Sequence, residues 1–154
     1  MGTEIERKFL VQGEGWRAGA EGEVYRQGYL AADPDRTVRV RVVGEHGYLT
    51  VKGRAEGLVR AEYEYPIPAS DANELLDRLC LKPLIEKTRY RVPYGGRVWE
   101  VDEFAGENLG LLVAEVELGD AGEAVELPGW IGREVSDDPR YFNANLVRHP
   151  FTRW

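Results

Sequence analysis

Apolar and charged residues alternate along most of this chain, which is the pattern of a β-strand whose two faces meet different surroundings. Successive side chains of a strand point to opposite faces, so residues two apart share a face. Arg39 and Arg41 share one face, for example, and the valines at positions 38, 40 and 42 share the other. The alternation predicts eight strands, over residues 4–11, 24–31, 37–43, 48–52, 58–67, 85–92, 97–104 and 111–118.

Turns and a few helical segments interrupt this pattern. The sequences Asp33-Pro34-Asp35 and Gly44-Glu45-His46-Gly47 are typical of a turn and of a hairpin. Residues 71–81 carry apolar side chains at helical spacing, with Ser70 as a candidate N-cap and Pro83 beyond the end, and they predict a helix. Two shorter helices are expected in the tail, over residues 121–125 and 140–148.

Seven of the eight predicted strands carry charged residues on one face and mostly apolar residues on the other. A sheet with one solvated face explains any single strand of this kind. It explains the whole set less well, because paired acids and paired bases follow one another with few neutral residues between them. The acids are Glu4, Glu6, Glu62, Glu64, Glu100, Asp102, Glu115 and Glu117, and the bases are Lys8, Arg39, Arg41, Lys52, Lys87, Arg89 and Arg91.

A polar interior accounts for these faces better than a solvated outer surface does. A closed barrel of about eight strands has no free edges and can hold one small ligand. The predicted fold class is therefore mainly β (α+β), an eight-stranded antiparallel closed barrel with a few flanking helices. Buried charges must be paired or must meet a ligand. Carboxylates suit hard divalent cations, and Arg and Lys suit phosphate oxygens, so magnesium with a polyphosphate would satisfy both sets.

Composition narrows the cellular setting and the partners. A chain of 154 residues suits one domain, which we place over residues 1–154. The net charge of −7 argues against broad binding to nucleic acid, and no apolar run approaches the length of a membrane span. Cys80 is the one cysteine, so no intrachain disulfide can form. Together with a charged N-terminal segment unlike a secretion signal, this predicts a cytoplasmic protein.

The segment Glu4-Ile5-Glu6-Arg7-Lys8 resembles the N-terminal Glu-x-Glu-x-Lys signature of the CYTH family, also called the triphosphate tunnel metalloenzymes. Further blocks are similar to those of the family, in the same order and over nearly the whole chain. They are Gln27-Gly28-Tyr29-Leu30, Arg39-x-Arg41, Leu49-Thr50-Val51-Lys52, Glu62-x-Glu64, Glu86-Lys87-Thr88-Arg89-Tyr90, Asp102-x-Phe104-x-Gly106, Ala114-Glu115-Val116-Glu117 and Arg140-Tyr141-Phe142-Asn143. Phe142 stands where a small or polar residue is expected.

The resemblance implies an eight-stranded tunnel that uses Mg²⁺ or Mn²⁺ and, as in short bacterial members, hydrolyses inorganic tripolyphosphate to diphosphate and phosphate. It also implies that such a protein often forms a homodimer. The implied metal ligands are Glu4, Glu6, Glu115 and Glu117; the implied phosphate ligands are Lys8, Arg39, Arg41, Lys52, Lys87 and Arg89; Tyr29 and Lys87 would activate water; and Glu62, Glu64 and Asp102 are further acids of the barrel interior.

Other functions stay open from the sequence. A class IV-type adenylate cyclase would use the same cradle with a ribose hydroxyl as nucleophile, and a thiamine or nucleoside triphosphatase would need a pocket for an organic group. One short helix between the fifth and sixth strands leaves little material for such a pocket, which favours the inorganic substrate. A non-catalytic polyphosphate binder has no need of so many carboxylates. Two details are also open. One is whether Tyr29 faces the interior, and the other is whether the charged groups around Lys87 raise or lower the pKa of Lys87.

Overall fold

The computed structural model describes residues 2–154, which form nine strands and two helices. The strands are β1 (Gly2–Val11), β2 (Glu21–Asp33), β3 (Arg36–Val43), β4 (His46–Gly53), β5 (Val59–Ile67), β6 (Ile85–Tyr94), β7 (Arg97–Phe104), β8 (Leu112–Glu117) and β9 (Ile131–Glu134). The helices are α1 (Ala69–Arg78) and α2 (Asn143–Arg148), and single 3₁₀ turns cover Gly106–Asn108, Pro139–Tyr141 and Phe151–Arg153.

The first eight strands close into an antiparallel barrel. Neighbours follow the order β5-β4-β3-β2-β6-β7-β8-β1, and β1 returns to pair with β5. β1 can close the barrel because residues 2–5 pair with β5 while residues 6–10 pair with β8. The predicted barrel is confirmed, and β9 is an additional strand that joins β1 near its end.

The charged faces of the strands lie inside this barrel, and the apolar core lies outside it. On β3, Val40 packs outward against Leu76 of α1, whereas Arg39 and Arg41 line an interior cavity. The outer apolar faces are covered in three clusters, beneath α1, beneath α2 with the C-terminal tail, and around two fully buried tryptophans. One of these tryptophans, Trp16, belongs to the loop after β1. The apolar packing that stabilises the barrel therefore lies on its outer surface, and polar groups line its interior.

Helix α1 begins and ends earlier than residues 71–81, the range that the apolar spacing predicts. Pro68 rather than Ser70 is the N-cap, and its carbonyl accepts the first helical hydrogen bond from the Ala72 N–H at 3.0 Å. A proline is favourable there because its fixed φ leads into the helix and no N–H is left unsatisfied. At the other end Leu79 is 67% exposed, and the ammonium of Lys82 caps two carbonyls of the last turn.

The tail differs from the prediction in three places. The helix expected over residues 121–125 is a turn, in which the Asp120 carboxylate accepts from the Gly122 N–H at 3.0 Å. The strand β9 was not predicted, and the helix expected over residues 140–148 is divided at Phe142 into a 3₁₀ turn and α2. Within the described part of the chain, neither helix has the length and apolar character that a membrane crossing requires.

Candidate functional site

A charged cavity of about 250 Å³ lies inside the barrel, and a second cavity of about 340 Å³ adjoins it. The two share the side chains of Arg41, Glu64, Arg89 and Glu100. Of the predicted site residues, all but one line the first cavity: Glu4, Glu6, Lys8, Tyr29, Arg39, Arg41, Lys52, Glu62, Glu64, Lys87, Arg89, Glu115 and Glu117. Asp102 lies behind this lining, 1% exposed, in contact with Lys87 and Arg89.

Two of the four carboxylates predicted to bind metal are already paired with cations of the protein. Glu4 lies 2.9 Å from the Lys52 ammonium; burial works to raise the pKa of Glu4, but Lys52 outweighs it and the net shift is downward. Glu115 lies 3.7 Å from both Lys8 and Arg89. Burial opposes ionisation there too, but these two cations lower the pKa of Glu115 to about 2.

The other two carboxylates, Glu6 and Glu117, face each other without a cation. They are direct partners in the antiparallel pairing of β1 with β8, and both line the cavity. Like charges directly opposite each other destabilise a sheet. Among the described residues, no Lys or Arg is within ion-pair distance of either carboxylate, and burial together with Glu115 and Glu4 raises the pKa of Glu6 well above its usual value. This pair is arranged for a positive ligand.

Two arginines of β3 present unused donors to the same cavity. Arg39 reaches Glu64 only at 3.4 Å, and its Nε is buried with no acceptor. Arg41 donates its Nε to Gln27 Oε1 at 2.8 Å and, among the described residues, has no carboxylate partner. Burial, followed by the guanidinium groups of Arg39 and Arg89, lowers the pKa of Arg41. Because buried donors without acceptors are costly, this part of the cavity favours an anion.

Lys87 is the most deeply buried amine of the site. Its Nζ donates to Asp102 Oδ2 at 2.7 Å and to Asn143 Oδ1 at 3.1 Å, and its side chain is 1% exposed. Burial lowers the pKa of Lys87 to about 7; Asp102 opposes this shift, and Arg89 and Arg41 add to it. Burial is the largest effect, so the pKa of Lys87, whose direction of shift the sequence leaves open, is lowered. The amine of Lys87 therefore gives up its proton at a lower pH than a free lysine does.

Tyr29 faces the interior of the barrel. It pairs with Arg39 across the β2–β3 ladder and lines the cavity. The ladder shifts register directly after Tyr29, which is why the strand pattern alone cannot assign its face. The structure shows no hydrogen bond between the Tyr29 hydroxyl and Lys87, whose Nζ donates instead to Asp102 and Asn143.

Three further residues of the site are absent from the site residues predicted from the sequence. Gln27 is fully buried beside Arg41, and Asn143, the first residue of α2, contacts both Gln27 and Lys87. The ring of Phe142 lines the cavity, with the Lys8 Nζ 5.7 Å from its centroid. All three stand in blocks that resemble the CYTH family, and this was the one available signal for them.

The carboxylates fit a divalent cation that shares its ligands with a phosphate chain. Within residues 2–154, no three acidic, His or Cys side chains form a group able to hold a metal ion. Mg²⁺ commonly binds through one or two carboxylates, with waters and substrate phosphate oxygens completing its shell. Glu6 and Glu117 supply such a pair, so this donor set suits a metal ion that binds together with phosphate.

Comparisons with known proteins agree with this arrangement. The family model of the CYTH domain matches residues 2–150. An inorganic triphosphatase of Acetivibrio thermocellus is 56% identical over 151 residues, covering 98% of this chain and 97% of that protein. An inorganic triphosphatase of Nitrosomonas europaea is 39% identical over 154 residues, covering 94% and 97%. The crystal structure of the inorganic triphosphatase NE1496 has a TM-score of 0.66 at 35% identity and covers 94% of this chain and 97% of its own. This chain belongs to the CYTH family.

Proposed function

We propose that this protein hydrolyses inorganic tripolyphosphate to diphosphate and phosphate inside its barrel, with Mg²⁺ or Mn²⁺. The observation that carries the proposal is that positive and negative side chains that the described residues leave incompletely paired line the same cavity. The Nε of Arg39 has no acceptor and, among the described residues, Arg41 has no carboxylate partner, while the carboxylates of Glu6 and Glu117 have no cation within ion-pair distance. A triphosphate with its metal ion satisfies both sets. The activity named for both curated relatives supports the same reaction.

Arginine forks and fixed lysine charges would bind the phosphate chain. Arg39 and Arg41 offer donors in the planar geometry that matches phosphate oxygens. Lys8, Lys52 and Arg89 are held in place by carboxylates, so their charges are oriented before substrate arrives. Charges arranged in this way stabilise the negative charge that develops on the transferred phosphoryl group without further reorganisation.

The acids would divide between holding metal and holding these cations. Glu6 and Glu117 would bind the metal ion, with Glu4 and Glu115 beside them. When bound, the ion neutralises phosphate oxygens. Three other acids would orient bases: Glu62 lies 3.5 Å from Lys52, Glu64 lies 3.4 Å from Arg39, and Asp102 binds Lys87 and Arg89.

Lys87 would take the proton of the attacking water. A general base is most effective when its pKa is near the working pH, and burial brings the pKa of Lys87 to about 7. Tyr29 lines the same cavity, and its hydroxyl would hold the water, because a phenol can both donate and accept a hydrogen bond.

The lining of the first cavity favours an inorganic substrate. Most of the side chains in its wall are charged, whereas pockets for organic ligands are lined mainly by hydrophobic and aromatic side chains. The test is a panel of tripolyphosphate, diphosphate, ATP and thiamine triphosphate, each with Mg²⁺ or Mn²⁺, in which phosphate release and cyclic AMP are both measured. We expect fast phosphate release from tripolyphosphate alone. Efficient cyclic AMP formation, or a clear preference for an organic triphosphate, would contradict the proposal.

A cytoplasmic location and a homodimer belong to the same proposal. Cys80 is buried as a free thiol, which suits a reducing compartment. Tyr63, Tyr65 and Val51 are exposed together on the outer face of β4 and β5, where a second copy could pack. Sedimentation analysis of the purified protein measures the oligomeric state directly.

A further inference from the structure

An amide bridge joins the two functional sides of the cavity. Arg41, on the phosphate-binding side, donates its Nε to Gln27 Oε1 at 2.8 Å. Gln27 in turn donates its Nε2 to Asn143 Oδ1 at 3.1 Å, and the same oxygen accepts from Lys87 Nζ at 3.1 Å. Gln27 is fully buried, so it has no solvent partner that could replace either contact.

The direction of every hydrogen bond in this bridge is fixed by its two ends. A guanidinium group has donors and no acceptor, so Gln27 must turn its carbonyl oxygen towards Arg41. The amide nitrogen of Gln27 then faces Asn143, which must accept this hydrogen bond with its side-chain oxygen. That oxygen is therefore the group of Asn143 that meets Lys87, and it can only accept from the amine.

This geometry determines where the lone pair of Lys87 points. An uncharged amine has two N–H groups and one lone pair. Asp102 Oδ2 and Asn143 Oδ1 accept the two N–H groups, so the remaining tetrahedral direction is left for a water in the cavity that Lys87 lines. Without Asn143 the amine could rotate, and its lone pair would no longer be held in one direction.

We infer that Asn143 and Gln27 are positioning residues: Asn143 orients the lone pair of Lys87, and Gln27 holds Asn143 and Arg41 in one register. The inference rests on the proposed role of Lys87 as the base, and it assigns to helix α2 a part in proton transfer. In this assignment neither residue takes the proton itself. They act by fixing the relative position of the group that binds phosphate and the group that removes the proton.

Asn143 is a neutral neighbour of Lys87, and replacing it by Asp adds a charge while the shape of the side chain is kept. The charged or titratable groups that face Lys87 are Arg89 on its own strand, Tyr25 and Tyr29 on β2, Arg41 on β3, Asp102 on β7 and Glu115 on β8. Helix α2 contributes the neutral Asn143. In Asn143→Asp the carboxylate still accepts from both Lys87 and Gln27, but it adds a negative charge that favours the ammonium form of Lys87.

The experiment compares the pH dependence of kcat and kcat/KM for tripolyphosphate hydrolysis in four variants: Asn143→Asp, Asn143→Leu, Lys87→Ala and, as control, Asn145→Leu. We expect Asn143→Asp to move the rising limb to higher pH by about one unit or more, with the rate recovering in alkali. Asn143→Leu should lower kcat by about 10-fold or more, a part of what a positioned base contributes, with a much smaller change in KM. Asn145 lies on the same helix as Asn143 but donates to the Pro139 carbonyl of the preceding 3₁₀ turn, and its variant should keep the wild-type profile.

The outcomes separate this inference from the proposed function. A limb that disappears in Lys87→Ala but is unchanged in both Asn143 variants would overturn the positioning role and leave the role of Lys87 intact. A limb that survives in Lys87→Ala would overturn both. If Asn143→Leu fails to fold by circular dichroism, the position of the limb in Asn143→Asp decides the question.

Discussion

Replacing Asp102 by Asn tests how the charged interior is stabilised. The Asp102 carboxylate accepts from Lys87 at 2.7 Å and from Arg89 at 2.7 and 2.9 Å. Burial by itself would raise the pKa of Asp102, but Arg89 and Lys87 hold it far below its usual range. Asn keeps the shape of the side chain, but it turns an NH₂ group towards the donors of Arg89 and Lys87. It leaves the buried guanidinium of Arg89, and Lys87 whenever it is protonated, without their common counter-charge.

The expected loss of stability is large. Removing one partner of a buried ion pair destabilises a protein by about 3–5 kcal/mol, because an uncompensated charge stays buried. For a chain of this size about 1 kcal/mol corresponds to about 2–4 °C in Tm, so Asp102→Asn should lower Tm by roughly 6–20 °C.

The matched control is the next residue of the same strand. Glu103 pairs with Arg17 at 2.7 Å, but both side chains are 38% exposed, and an exposed pair contributes at most about 1 kcal/mol. Thermal unfolding followed by circular dichroism at neutral pH should therefore separate Asp102→Asn clearly from Glu103→Gln. Equal Tm values for the two variants would refute the reasoning that Asp102 compensates buried charge.

The difference in Tm between wild type and Asp102→Asn should depend on pH in a definite direction. The folded-state pKa of Asp102 is depressed, so its contribution to stability is complete above the unfolded value of about 3.9. It is lost as the pH falls through the folded value. The gap in Tm between wild type and Asp102→Asn should persist from weakly acidic to neutral pH and narrow only in strong acid.

Three further predictions concern the ligand. Glu6→Gln should abolish turnover yet raise Tm of the metal-free protein, because it removes one of two facing like charges; wild-type activity at limiting metal would contradict this. Arg41→Lys keeps the charge but loses the planar fork, so tripolyphosphate should raise Tm less than in wild type; an equal rise would place the anion elsewhere. Tyr29→Phe and Lys87→Ala should each lower kcat, and the double variant should fall short of their combined effects; additive losses would show that the two act independently.

Much of the barrel can be predicted from the sequence because one simple pattern specifies it. Paired charges at positions 39 and 41 between valines can satisfy both faces of a strand only if one face meets a polar space. The same logic fails for β9, which has four residues and is too short for alternation to stand out. It also fails at α1, where Pro68 rather than a capping side chain begins the helix.

The site residues could be named from the sequence more easily than their partners. All of the acids and bases of the alternating faces except Asp102 line one of the two adjoining cavities, as the strand parity of Arg39 or Glu115 requires. The bridge from Gln27 to Asn143 joins residues 116 positions apart in the chain, and no periodicity relates them. The pKa of Lys87 depends on how completely its amine is buried, which is a property of the closed barrel and not of its neighbours along the strand.

The most direct test of the account follows the oxygen of the attacking water. The wild-type protein is incubated with tripolyphosphate and Mg²⁺ or Mn²⁺ in isotope-labelled water, and the products are separated and examined by mass spectrometry. Hydrolysis inside the barrel at the terminal phosphorus predicts one labelled phosphate and one unlabelled diphosphate per turnover, with no reaction when a chelator is present. Absence of turnover, turnover that survives the chelator, or label in the diphosphate would contradict it.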